Sequence, residues 1–189
     1  MTGLEATKPA TATPEPWRLS VEDYHALAER GLIPEKTELL YGQVFHKMAK
    51  SPTHSFFQVQ LLDALRPTTP PGTHVRQDQP ITCLDSEPEP DLSVVRGSMQ
   101  DFRHEHPRTA ELVIEVCVSS HEYDRSKLRA YAGAKVKEVW LILVPEKQIE
   151  VHRQPTDGQF RERILYGPGG RLGSTTVPGF EVDLAKLFI

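Results

Sequence analysis

The amino-acid sequence predicts a mixed α/β fold, an α+β arrangement in which helices flank a central mixed β-sheet. Three observations carry this prediction: the apolar run "ELVIEVCV", a second apolar run "EVWLILV", and a helix-like segment between them. Two apolar runs joined in this way are typical of parallel strands that are connected by a crossover and covered on both faces. Further strand-like segments on both sides of this unit complete the sheet.

The first half of the chain begins with a helix, a hairpin and a second helix. Ser20 and Asp23 have the spacing of a capping box, and Gly31 suits the position after the helix that they begin. Tyr41-Gly42 separates two strand-like segments as a hairpin turn. In "SPTHSFFQVQLLDALR", apolar residues recur on one helical face, which predicts the second helix.

The second half alternates strands with loops. "THVRQDQPITCL" predicts a strand in which Pro80 marks a bulge or an edge, and "DLSVV" predicts a short strand. "SHEYDRSKLRAYAGA" predicts one helix, with Leu128 and Tyr131 among its apolar positions. After "EVWLILV", two strands flank a "TDG" turn, and "VPGFEVDLAKLFI" predicts a short strand and a closing helix.

Length and composition indicate one domain, which we expect at residues 17–189 of the 189-residue chain. Residues 1–16 are rich in Thr, Ala and Pro, so we expect them to form a disordered tail. The net charge of −4 at pH 7 argues against a protein that coats nucleic acid through its overall charge. A net charge of this size is still compatible with a local basic patch on the surface.

The chain has no apolar run near the ~20 residues that cross a bilayer, and its N-terminus lacks the apolar core of a secretory signal. Cys83 and Cys117 are too few for a disulfide framework and fall in apparent strands. We therefore expect buried free thiols in a reducing compartment. These features predict a cytoplasmic protein with no membrane partner.

Two acidic residues stand at strand positions where their charges need a partner. Asp91 begins "DLSVV", and Glu115 lies inside "LVIEVCV". A carboxylate buried without a cation costs on the order of several kcal/mol. If the two strands pair, both carboxylates reach one cleft, and with a backbone carbonyl such as that of Val116 they form an oxygen site for Mg²⁺ or Mn²⁺. Glu38 and Lys127 are placed to join this cleft.

A simpler interpretation of the same residues stays open at this point. Asp91 can be a cap at the end of a loop, and Glu115 an outward residue with Lys127 or Arg125 as its surface partner. The basic stretch Arg125, Lys127, Arg129, Lys135 and Lys137 is likewise ambiguous. Arg125 and Arg129 are candidates for contacts with DNA phosphates, but a solvated helix face explains them equally well. The eight histidines show no zinc-binding spacing.

The ordered series "TELLYGQV", "SPTH", "EPDLSVV", "ELVIEVCVSS" and "YDRSKLRAYAGAKVKEVWLI" resembles the Uma-two family of restriction endonucleases, within the PD-(D/E)XK nuclease superfamily. The resemblance spans roughly residues 19–153 and implies a restriction-endonuclease-like fold with a metal-dependent phosphodiesterase site. It implies that Asp91 and Glu115 ligate the metal and that Glu38 is the acid supplied by the N-terminal part. His54 matches an auxiliary histidine without an assigned role.

One position departs from the superfamily pattern. The lysine expected two residues after Glu115 is replaced by Cys117, whose thiol cannot supply the charge or the donors of an ammonium group. Lys127, in the following helix, fits a lysine that has moved. It would then position the attacking water beside the metal.

The leading hypothesis is a Mg²⁺- or Mn²⁺-dependent endonuclease that hydrolyses phosphodiester bonds of duplex DNA. The main alternative is a nuclease-like module that no longer cuts and binds DNA or a protein partner, which Cys117 and the acidic net charge favour. A weaker alternative is an unrelated hydrolase of a small phosphorylated molecule. A homodimer suits the cutting of both strands of a duplex, but no sequence feature encodes it.

Overall fold

The computed structural model of the protein describes residues 14–119 and 121–189. Most of the predicted N-terminal tail, residues 1–13, lies outside the described residues, and residues 14–20 have no regular secondary structure. The fold is mixed α/β, with helices on a six-stranded mixed sheet, so the predicted fold class is confirmed. Within the described ranges, no helix has the length and apolar character needed to cross a membrane.

The helices and strands follow the predicted order. The helices are α1 (Val21–Glu29), α2 (Pro52–Leu65), α3 (His121–Ser126), α4 (Leu128–Gly133) and α5 (Leu184–Leu187). The strands are β1 (Thr37–Leu40), β2 (Gln43–His46), β3 (Thr73–Gln77), β4 (Leu92–Arg96), β5 (Leu112–Cys117), β6 (Glu138–Leu143), β7 (Gln148–Thr156), β8 (Gln159–Tyr166), β9 (Arg171–Gly173) and β10 (Glu181–Asp183).

The central sheet has the strand order β3-β4-β5-β6-β7-β8. Strands β5 and β6 are parallel and are joined through α3 and α4, which confirms the predicted crossover. All other neighbours in this sheet are antiparallel, including β4 and β5, where Leu92 pairs with Ile114. This pairing brings the beginning of β4 beside the end of β5, where Asp91 and Glu115 lie.

Strand β5 is buried on both faces because its side chains alternate between two apolar clusters. Ile114 and Val116 pack with α2 and the C-terminal elements on one face. Val113 and Cys117 pack with Tyr131 of α4 on the other. Glu115 shares the second face and is only 2% exposed, so its carboxylate must find its partners inside the protein. Both cysteines are buried free thiols, as expected.

Local sequence signals explain the elements near the site. Ser20 and Asp23 form the predicted capping box of α1, with hydrogen bonds in both directions. Tyr41 and Gly42 both have positive φ, at 53° and 73°, as a two-residue hairpin turn requires. A Cβ atom on Gly42 would lie 2.5 Å from the Cβ of Arg18, so the turn has no room for a side chain.

The structure differs from the predicted elements at two places. Strand β3 ends at Gln77 rather than continuing past Pro80, because Asp78 adopts a left-handed φ of 52° and its N–H donates to the Asp91 carbonyl. The single helix predicted after β5 is divided into α3 and α4 at Lys127. At this junction the Lys127 N–H donates to the Asp124 carbonyl, three residues back, while its φ and ψ remain helical at −72° and −21°.

Candidate active site

A cavity of about 530 Å³ lies where β4 begins and β5 ends. Its walls come from the β1–β2 hairpin, the loop before α2, the first turn of α2, the ends of the two central strands, and α3 with its C-terminal junction. Six of the residues predicted from the sequence line this cavity: Glu38, His54, Asp91, Glu115, Val116 and Lys127. Arg125 and Arg129 are not among its lining residues.

Glu115 meets its cation inside the protein. Its Oε1 lies 3.3 Å from the Lys127 ammonium and accepts a hydrogen bond of 2.6 Å from the Tyr131 hydroxyl. Its Oε2 is 3.4 Å from the Asp91 backbone nitrogen, a long contact that leaves this oxygen free to take a stronger partner. Burial raises the pKa of Glu115 to about 8, against the opposing effect of Lys127.

Asp91 is held at the beginning of β4 by the neighbouring strand and by α2. Its Oδ2 accepts a hydrogen bond of 2.8 Å from the Val116 N–H and lies 3.0 Å from His54 Nε2. Its Oδ1 lies 3.1 Å from the Lys50 ammonium. Burial alone would raise the pKa of Asp91, but His54, Lys50 and the Val116 N–H together hold it below its usual value.

The backbone of Val116 faces the same side as Asp91. In an extended strand the N–H and C=O groups of one residue point to the same edge. Because the Val116 N–H donates to Asp91, its carbonyl projects toward the same edge of β5. The carbonyl of Cys117 instead accepts from Val144, on the opposite edge.

Glu38 completes the acidic surroundings of Lys127. One oxygen of Glu38 accepts a hydrogen bond of 2.8 Å from the Tyr123 hydroxyl and lies 3.3 Å from the Lys127 ammonium. The other accepts from the Glu89 N–H at 3.1 Å. Asp124 approaches Lys127 at 3.9 Å. Burial would lower the pKa of Lys127, but Glu115, Glu38 and Asp124 raise it above its ordinary value, so the side chain is an ammonium at neutral pH.

The cavity carries an excess of negative charge. Five carboxylates line it (Glu38, Glu89, Asp91, Glu115 and Asp124), and three lysines do so (Lys47, Lys50 and Lys127). The acids outnumber the lysines by two, and because the raised pKa of Glu115 favours its protonated form at neutral pH, the excess in the metal-free lining falls to one negative charge. A bound divalent cation would favour the ionised form of Glu115 and would then balance the full excess of two negative charges.

The donor set fits a magnesium or manganese ion that retains much of its water shell. Within residues 14–119 and 121–189, no three His, Cys, Asp or Glu side chains form a ready-made metal cage. Mg²⁺ does not require such a cage, since it is commonly held by one or two carboxylates together with water and substrate phosphate. Asp91 Oδ1, Glu115 Oε2 and the Val116 carbonyl are hard oxygen donors of this kind.

Cys117, at the position where the family resemblance places a lysine, adds no charge to this arrangement, although its side chain is hydrogen-bonded to Asp124. Its thiol is buried in the apolar cluster of α4 and lies 3.8 Å from the Glu115 carbonyl oxygen. Burial raises its pKa far above the ordinary value, so it is neutral. Lys127 supplies the ammonium that this position lacks.

The two predicted phosphate-binding arginines have other contacts. Arg125 donates to Glu150 of β7 at 2.8 Å, and Glu150 is 1% exposed. Arg129 is exposed, and its guanidinium lies 5.1 Å from the centre of the Tyr41 ring. Their contact with DNA stays a prediction.

Sequence reasoning missed several polar groups at the site. Tyr131 was expected among apolar residues, yet its hydroxyl is bound to Glu115; its spacing of four from Lys127 on a helical segment was an available signal. Tyr123, which donates to Glu38, lies four residues before Lys127 and was detectable in the same way. Lys50 lies in a loop, and no sequence periodicity connects it with Asp91.

Comparisons with known proteins identify the family and the fold of the chain. Residues 21–185 match the Uma2 family, which is described as "Putative restriction endonuclease". The fold is similar to a crystal structure from Anabaena variabilis described as a "putative nuclease belonging to DUF820", with a TM-score of 0.75 and 16% sequence identity. That similarity covers 90% of this chain and 97% of the other, and at this identity it shows a shared fold alone. Among curated proteins, none matches the chain. Because the family match spans most of the chain, the resemblance seen in the sequence is confirmed, and this protein belongs to the Uma2 family of restriction endonuclease-like proteins.

Proposed function

We propose that this protein is a metal-dependent endonuclease that hydrolyses phosphodiester bonds of DNA, with Mg²⁺ or Mn²⁺ as its cofactor. The observation that carries the proposal is the convergence of Asp91, Glu115 and Lys127 on one cavity. Membership of a restriction endonuclease-like family supports the reaction class and DNA as the substrate.

Asp91, Glu115 and the Val116 carbonyl would hold the metal ion. When bound, the ion lowers the pKa of a water molecule and offsets the charge that develops on the scissile phosphate. The protein keeps both carboxylates in place through the Val116 N–H and His54 on Asp91 and the Tyr131 hydroxyl on Glu115. These contacts prearrange the site before the ion or DNA arrives.

Lys127 positions the attacking water rather than removing its proton. Its raised pKa keeps the ammonium charged at neutral pH, so it has no free lone pair with which to act as a base. Glu115 and Glu38 each lie 3.3 Å from its nitrogen and fix its direction. The remaining hydrogen-bonding capacity of the ammonium is then available for a water molecule or a phosphate oxygen in the cavity.

Glu38 acts beside Lys127. Its carboxylate is held by the Tyr123 hydroxyl and the Glu89 N–H, and it lines the cavity. From this position it assists in binding the water shell of the ion. Arg129, exposed on α4, would contact phosphates of the DNA backbone outside the cavity, and Arg125 would do so from α3.

A second candidate function is supported by Cys117. With a neutral thiol where the superfamily has its lysine, a nuclease-like module that binds DNA or a protein partner without cutting keeps the same fold. Both functions use the cavity, but only the first requires metal-dependent bond cleavage.

Cleavage assays distinguish the two functions. Purified wild type is incubated with double- and single-stranded DNA in Mg²⁺ or Mn²⁺, beside Glu115→Gln and the matched control Glu122→Gln, which alters an exposed residue of α3. We expect cleavage by wild type and control and at least about a 100-fold loss in Glu115→Gln. Equal cleavage by all three would contradict the site. DNA binding without cleavage by the wild type would favour the non-cutting module.

A further inference from the structure

Lys50 lies in the loop between β2 and α2 and lines the cavity next to Asp91. Its ammonium lies 3.1 Å from Asp91 Oδ1 and donates to Gln58 Oε1 at 2.9 Å. It also forms an ion pair with Asp78 Oδ1. The side chain is 29% exposed, so it is a cavity-wall group with access to water.

The position of Lys50 matters because of the oxygen that it contacts. Asp91 Oδ2 already accepts a hydrogen bond from the Val116 N–H and contacts His54 Nε2. Oδ1 is the carboxylate oxygen that remains for a metal ion, and the Lys50 ammonium is the cation next to it. An ammonium and a divalent ion cannot both bind this oxygen closely, since their charges repel at such a distance.

We propose that Lys50 is a resident cation on Asp91 that the divalent ion displaces, so that Lys50 sets the affinity of the site for metal. This inference rests on the proposed function and adds a residue outside the sequence segments that carry the family resemblance. In the metal-free protein, Lys50 reduces the repulsion between Asp91 and its acidic neighbours. During metal binding, the Lys50 ammonium competes with the divalent ion for the Asp91 carboxylate.

Asp78 and Gln58 provide the place to which Lys50 withdraws. The Gln58 amide donates to Asp78 Oδ1 at 2.8 Å and to the Asp91 carbonyl at 3.0 Å, and Gln58 is 3% exposed. This anchor is therefore fixed by backbone and side-chain contacts that do not involve the Asp91 carboxylate. When the ion displaces Lys50 from Asp91, the ammonium keeps its contacts with the Asp78 carboxylate and the Gln58 amide oxygen. It therefore moves a short distance and does not become fully hydrated.

The test measures Mn²⁺ affinity by calorimetry on DNA-free protein, so that it does not depend on catalysis. Lys50→Met retains most of the apolar stem and removes the charge. The matched control is Lys47→Met, which removes the same charge from the same cavity, where Lys47 pairs with Glu89 instead of Asp91. We expect Lys50→Met to bind Mn²⁺ about tenfold more tightly, equivalent to about 1.4 kcal/mol, and Lys47→Met to change affinity less than about threefold.

Asp78→Asn supplies a second, opposite test and covers the case in which Lys50→Met fails to fold. Without Asp78, Lys50 has Asp91 as its remaining carboxylate among the partners described above, and it should compete more strongly. We expect Asp78→Asn to weaken Mn²⁺ binding by about threefold, and to have no effect when Lys50 is already Met.

The outcomes separate this inference from the proposed function. If Lys50→Met and Lys47→Met increase the affinity for Mn²⁺ equally, the effect is a general one of cavity charge. That result would overturn the proposed specific role of Lys50. Unchanged or weaker binding in Lys50→Met would also overturn it, while Mn²⁺ binding by the wild type would leave the metal site intact. Absence of Mn²⁺ binding in wild type and in all variants would overturn both the metal site and the inference.

Discussion

The ammonium of Lys127 lies 3.3 Å from a carboxylate oxygen of Glu115, although the two residues stand on different elements and twelve positions apart. The contact accounts for a carboxylate in the middle of an apolar strand. It also places an ammonium beside Glu115 despite the thiol at Cys117. Lys127 stands at the junction of α3 and α4 and brings a positive charge to the cavity.

Replacing Lys127 by Met should impair both activity and stability. The variant removes the cation that Glu38 and Glu115 share, and since Glu115 can hold a proton at neutral pH, the cost falls mainly on buried Glu38, on the order of 3 kcal/mol. Cleavage should fall at least about 100-fold when assayed below the unfolding temperature. Urea unfolding and single-turnover cleavage measure the two effects. Lys186→Met, on an exposed residue of α5, is the control; an active Lys127→Met protein would contradict the role of the ammonium.

Metal binding should stabilise the protein through Asp91. At a free Mn²⁺ concentration of about 100 times the dissociation constant, the expected gain in the free energy of unfolding is ~2.7 kcal/mol. Asp91→Asn should lose most of this gain, because the amide is a much weaker ligand than the carboxylate. Thermal unfolding with Mn²⁺ and with a chelator measures the difference. Asp63→Asn, on an exposed position of α2, should respond as the wild type does; a full response in Asp91→Asn would place the ion elsewhere.

Glu115 should make the metal-free protein less stable as the pH rises. Its pKa is about 8 in the folded protein against 4.5 for an ordinary glutamate. Between these values the folded state holds one more proton than the unfolded state, so stability falls through this window and levels off above about pH 8. Glu115→Gln cannot ionise and should be more stable than wild type at pH 9, on the order of 2 kcal/mol, with a smaller difference at pH 5. Urea unfolding in chelator measures this; parallel pH profiles would refute the assignment.

Much of this site could be predicted because the relevant residues lie in patterned segments. Asp91 directly precedes one apolar strand and Glu115 lies inside another, where a carboxylate is unusual, and Lys127 follows in the next helical segment. Pairing of β4 with β5 then brings the acids together without any information beyond strand order. The parallel crossover could be predicted as well. Strands β5 and β6 are buried on both faces, so each of them is a continuous apolar run in the sequence.

The remaining features depend on tertiary contacts that leave no local pattern. Apolar periodicity continues through the segment around Lys127, so it does not predict the division between α3 and α4. The left-handed backbone at Asp78 ends β3, although an aspartate does not require that conformation. Lys50 reaches Asp91 from a loop, and sequence distance gave no reason to pair them.

Acid should weaken the contact between α3 and β7 through Glu150. The pKa of this carboxyl is about 2, held below its usual value by Arg125, Arg163 and His152 despite burial. Its stabilising contribution is therefore fully present above about pH 4.5 and is lost as the pH falls toward 2. Glu150→Gln should lower the free energy of unfolding at pH 7 on the order of 2 kcal/mol and much less at pH 2.5. Equal losses at both pH values would show that packing, not charge, is responsible.

Arg125 and Arg129 are both proposed to contact DNA phosphates, but they should differ in how much each stabilises the fold. Arg125→Gln removes a guanidinium from buried Glu150 and should cost on the order of 1 to 3 kcal/mol of stability. Arg129→Gln should leave stability within about 0.5 kcal/mol, since its side chain is exposed. If Arg129 contacts a phosphate, Arg129→Gln should weaken binding to DNA of any base sequence by a similar factor. It should also reduce the magnitude of the slope of log affinity against log salt concentration by about 1. Filter binding at several salt concentrations measures that slope; an unchanged slope in Arg129→Gln would assign this arginine to the solvated face of α4.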